Sequence, residues 1–88
     1  MRRQYRYYAI LDDNHTLDDP LVVVREWDVD EYGDGLEEKF STALKWVPSD
    51  RLYRISSGRD DKEAVLIDEE AARRFELHQA ERVRRANQ

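Results

Sequence analysis

Cysteine is absent from the 88 residues. No disulfide can staple this fold, and no thiolate can hold zinc or act as a nucleophile. The same absence fits a reducing compartment. Glycine occurs three times and proline twice, and Gly33, Gly35 and Gly58 form no phosphate-cradling loop. Lysine is scarce, three against twelve arginines, a bias in keeping with a GC-rich genome. Long apolar runs are missing as well. The start, Met1-Arg2-Arg3-Gln4-Tyr5-Arg6, is basic, but no hydrophobic stretch of signal-peptide or membrane-spanning length follows. These features predict a cytoplasmic protein without a membrane segment.

What is abundant is charge. Twenty acidic against fifteen basic residues leave a net charge of −5. A negative overall field weakens the case for general affinity to nucleic acid or anionic lipid. The length predicts one domain over residues 1–88, with a modest core and little room for an interior active site.

Residues 4–11 alternate as a strand, with Tyr5, Tyr7, Ala9 and Leu11 on one side and Arg6, Tyr8 and Ile10 on the other. Three tyrosines here suit a base-stacking platform, but such platforms line a basic groove. Tyrosine is also simply a good strand residue, and that is the expectation here. A second strand covers residues 21–29, where Leu21, Val23, Trp27 and Val29 share a face and Arg25 needs an edge or a partner. Asp34-Gly35 is a hairpin turn signal. Residues 36–47 read two ways. A helix would align Leu36, Phe40, Ala43, Leu44 and Val47; a strand aligns Leu36, Phe40, Leu44 and Trp46, and the preceding turn favours the strand.

Pro48 then ends the extended segment, Ser49 caps a short helix and Gly58 supplies the positive φ that terminates it. Residues 63–67 form a short strand of the buried type. Asp68 caps a final helix from Glu69 to about Ala86, with acids in its first turn and arginines in its last. Its apolar stripe is Ala72, Phe75, Gln79 or Ala80, and Val83, and Glu69–Arg73, Glu70–Arg74 and Glu81–Arg85 are favourable i,i+4 pairs. The expected fold is α+β: a three-stranded antiparallel meander plus a fourth strand, with a short helix and a C-terminal helix packed on one face.

Motifs with specific chemistry fail on inspection. The loop from Asp12 places Leu17 and Val23 where a calcium loop needs glycine and glutamate, and the stretch from Asp28 places Tyr32 and Lys39 at ligand positions. Asn14-His15-Thr16 is a glycosylation acceptor only in a secreted chain. His78-Gln79-Ala80-Glu81-Arg82 lacks the second histidine of an inverted zinc-protease motif. No nucleophile neighbours a plausible base. The sequence therefore predicts no catalytic residues, no metal ligands and no cofactor.

Two surfaces remain. Between Glu26 and Glu38 lie seven acids and no basic residue. Asp28, Asp30, Glu31, Asp34, Glu37 and Glu38 are the candidate surface for a protein partner or a second copy, with an exposed sheet edge as the other route. The alternative is accessory nucleic-acid binding through Arg74, Arg82, Arg84 and Arg85. Against it, five acids balance the five arginines from Asp68 to Gln88, whereas a recognition helix presents an uncompensated basic face. Phe40, Trp46-Val47-Pro48-Ser49-Asp50, Leu52 and Ile67-Asp68-Glu69-Glu70-Ala71 together resemble a group of small actinobacterial proteins. The resemblance spans roughly residues 5–75; it implies a recurring domain, with no activity and no functional residues to carry over.

Overall fold

In the computed structural model, residues 4–28 and 35–87 are described. The chain runs β1 (Arg6–Leu11), β2 (Val22–Asp28), β3 (Gly35–Phe40), β4 (Trp46–Pro48), α1 (Arg51–Ser56), β5 (Glu63–Ile67) and α2 (Glu69–Ala86). These strands form one antiparallel sheet in the order β4-β3-β2-β1-β5. The class is α+β, as expected, with two corrections to its detail.

The first correction is the strand count, five among the described residues instead of four. Residues 36–47 are extended, but they are two strands joined by a tight turn. Ser41 N–H donates to Lys45 O at 2.9 Å and Leu44 N–H to Ser41 O at 3.0 Å, and Leu44 takes a left-handed φ of 62°. Phe40 and Trp46 therefore end up opposite each other across the hairpin, not merely on one side of a single strand. Polarity alternation is the same on both arms, so the turn left no break in the pattern.

The second correction concerns the helices, which lie on opposite faces. Phe40 of β3 packs edge-on against Phe75 of α2, ring centroids 6.4 Å apart. Three residues earlier, the Glu37 side chain reaches α1, where its carboxylate accepts the N–H groups of Leu52 and Tyr53. Side chains an odd number of positions apart on a strand point to opposite sides. Hence α2 covers one face and α1 the other.

On the α2 side, Tyr7, Val23, Phe40, Ala72 and Phe75 make the main core, flanked by Tyr5, Trp46 and Ile67. Ile10 and Val24, also fully buried, belong to the α1 side by the same alternation. The sequence-derived stripe of α2 holds at Ala72 and Phe75, its two buried residues. Asp68 caps this helix, accepting from the Ala71 N–H at 2.8 Å. The three anticipated i,i+4 pairs form, at 3.0, 3.5 and 2.7 Å.

Gly58, with φ 78°, ends the segment after α1 as foreseen. The start of that helix is less local than foreseen. Ser49 Oγ accepts the Arg51 N–H at 3.1 Å, but the next two N–H groups are satisfied by Glu37 from the neighbouring strand. A helix of six residues has too few internal bonds to stand alone. It is held by a carboxylate donated from the sheet.

Candidate interaction surface

The acidic stretch between β2 and β3 is only partly described: Asp30, Glu31 and Asp34 lie outside the described residues. The three that are described have separate roles. Asp28 is exposed and accepts from Arg6 Nη2 at 3.1 Å. Glu37 turns to α1, where Ser49 Oγ–H also donates to it at 3.1 Å. Glu38 points to the α2 side and accepts from Arg25 Nε and Nη2 at 2.9 and 2.8 Å. These acids do not share one outward face, because Glu37 and Glu38 are adjacent in a strand.

Arg25, the cation in the middle of β2, has found its partners. Its guanidinium carbon lies 4.3 Å from the ring centroids of both Tyr5 and Trp46. Stacking on aromatic faces compensates a half-buried charge that a lone carboxylate would serve less well. Trp46 Nε1–H in turn donates to Glu76 Oε1 at 3.0 Å, and Arg73 donates to the same oxygen. That bond raises the Arg73 pKa, against a smaller lowering by burial. The tyrosines expected as ordinary strand residues thus include one that clamps an arginine.

On the α1 side, Arg6 spans Glu26 and Asp28, and its pKa is pushed up by hydrogen bonds first to Asp28 and then to Glu26. Tyr8 donates its hydroxyl to Glu26 at 3.0 Å, and burial, reinforced by that carboxylate, raises its pKa. In the loop after β1, His15 Nδ1 lies 2.7 Å from Asp12 and holds that carboxyl below its usual range. His78 is exposed on α2. Among the described residues no group of three or more potential ligands is placed to hold a metal ion, and no helix is long and apolar enough to cross a membrane.

The arginines of α2 are each close to a carboxylate. Arg74 sits 3.5 Å from Glu70, Arg82 bonds Asp19 of the β1–β2 loop, and Arg84 and Arg85 lie 4.0 and 2.7 Å from Glu81. Arg82 therefore helps tie a loop down.

What local sequence reading missed is the sheet's open side. Residues 63–67 look buried by composition, but β5 is an edge, bonded to β1 alone among the described strands. Leu66 is 64% exposed there. Edges are ordinarily guarded by lysine, proline, a bulge or brevity. The opposite edge, β4, has two of these, being three residues long and ending in Pro48. β5 is five residues with one charge, Glu63, at its first position. The signal available beforehand was weak: a short apolar run bounded by Lys62 and Asp68. Comparison with protein-family models, curated proteins and solved structures gave no significant match.

Proposed function

We propose that this chain is a cytoplasmic, non-catalytic protein-binding module that takes a partner's strand along β5. The carrying observation is the edge position of β5, bonded to β1 alone among the described strands, with the exposed Leu66 on its α1-facing surface. Strand addition draws its affinity from main-chain hydrogen bonds and its selectivity from the alternating side chains. The rest of the sheet is arranged to hold that edge rigid: β5 pairs with β1 over five positions, from Tyr7 opposite Ile67 to Leu11 opposite Glu63. The lack of cysteine is consistent with a reducing setting. No reaction step is assigned to the chain.

The test is Leu66→Lys, which places an edge-guarding charge at an exposed position. The variant should keep the wild-type circular dichroism and melting midpoint, yet lose whatever species co-purifies with the wild type. A folded variant that retains the same species would overturn the assignment of the edge.

A further inference from the structure

Resting on the β5 reading, we infer that the strand taken up is β5 of a second copy, paired antiparallel about a two-fold axis through Val65. A two-fold axis perpendicular to the sheet keeps each side chain on its own face, so only positions of equal parity can pair. The three interior residues of the strand offer three centres, and paired length and charge separate them. Centring on Leu66 pairs only residues 65–67, because Glu63 then falls opposite Glu69, which already belongs to α2. Centring on Ala64 sets Leu66 against Lys62 and Ile67 against Asp61. Centring on Val65 uses all five residues, places the exposed Leu66 beside the small Ala64 of the other copy, and sets Lys62 opposite Asp68. Opposed unlike charges favour a register, and like charges directly opposite disfavour it.

The arrangement is also closed. Once the two β5 strands pair, the outer strands of the joined sheet are the two copies of β4, each three residues long with Pro48 at its end. Proline supplies no ladder donor, and a three-residue strand offers little to pair with. Growth therefore stops at two chains. A contact of five residues on each side falls at the small end of specific interfaces, so the dimer is weak and concentration-dependent.

A chain without cysteine lets single cysteines report the register. Directly opposed Cα atoms of an antiparallel pair lie about 4.5–5.5 Å apart, within the roughly 4.4–6.8 Å that a disulfide spans. Val65→Cys should cross-link to itself under mild oxidation. Ala64→Cys and Leu66→Cys should each cross-link poorly alone but efficiently when mixed. Sedimentation of the wild type over a hundredfold concentration range should show a monomer–dimer equilibrium, and Leu66→Lys should shift it toward monomer at least tenfold. Val65 is half-buried and pairs with Ala9, so a readout without substitution accompanies these: β5 amide exchange in the wild type should slow as concentration rises. A dimer whose Val65→Cys variant folds but does not cross-link overturns the register. A wild type that stays monomeric, with concentration-independent exchange, overturns self-pairing. The broader edge reading is then judged separately by the Leu66→Lys co-purification.

Discussion

Glu37→Ala tests whether this acid is a structural cap instead of a free surface charge. Its carboxylate accepts three hydrogen bonds, from Ser49 Oγ–H, Leu52 N–H and Tyr53 N–H, at 3.1, 3.1 and 3.2 Å. Two of those donors belong to the first turn of α1, which has no intrahelical acceptor for them. Removing a helix cap costs typically about 1 kcal/mol, and bonds to an ionised acceptor are roughly twice as strong as neutral ones. The expected loss is therefore about 2–3 kcal/mol. At roughly 0.05–0.15 kcal/mol per residue the whole chain has only about 4–13 kcal/mol, so the fraction at risk is large. At ~4–8 °C per kcal/mol the midpoint should fall by about 10–20 °C. Urea unfolding followed by circular dichroism measures the free-energy loss, and a thermal melt measures the midpoint. Glu37→Gln keeps an acceptor oxygen and should lose about 1 kcal/mol, the charge-assisted share. A Glu37→Ala loss below about 0.5 kcal/mol, the scale of ordinary surface changes, would refute the cap and return Glu37 to the pool of free acids.

Phe75 is 6% exposed and contacts Phe40, so Phe75→Ala should cost about 3–5 kcal/mol in equilibrium unfolding; an almost unchanged midpoint would mean that α2 is not docked by this ring. Leu44 holds a left-handed φ while 39% exposed, so Leu44→Gly should stabilise by about 0.5–1 kcal/mol, and a lower midpoint would show that its side chain packs more than it strains. The Asp12 carboxyl is held below its usual range by His15, so its contribution is complete above the ordinary carboxylate pKa and is lost as pH falls through the lowered one. Asp12→Asn should flatten the acid side of a melting-versus-pH curve, and an unchanged slope would count against the pair. The Tyr8 hydroxyl has a raised pKa, so its contribution is complete below the ordinary tyrosine value and is lost as pH rises through the raised one; Tyr8→Phe should remove that alkaline loss.

Local interactions between chain neighbours determined what the sequence could show on its own. The last helix was legible from Asp68 to about Ala86, with its cap, three i,i+4 pairs and the buried Ala72 and Phe75, because caps and pairs connect residues three or four apart. The alternation of β1 and the left-handed Gly58 are of the same kind. The division of residues 36–47 depended on a turn whose one strained residue, Leu44, carries no turn signature. Which face each helix took, which strand became the edge, and which partners Arg25 and Glu37 found depended on residues 12 or more positions away. A strand's pattern says which of its side chains point the same way, but its place in the sheet follows from the order in which the other strands pack. So β5 had the composition of an interior strand and the position of an edge, and only the tertiary structure could reveal the mismatch on which the proposed interface rests.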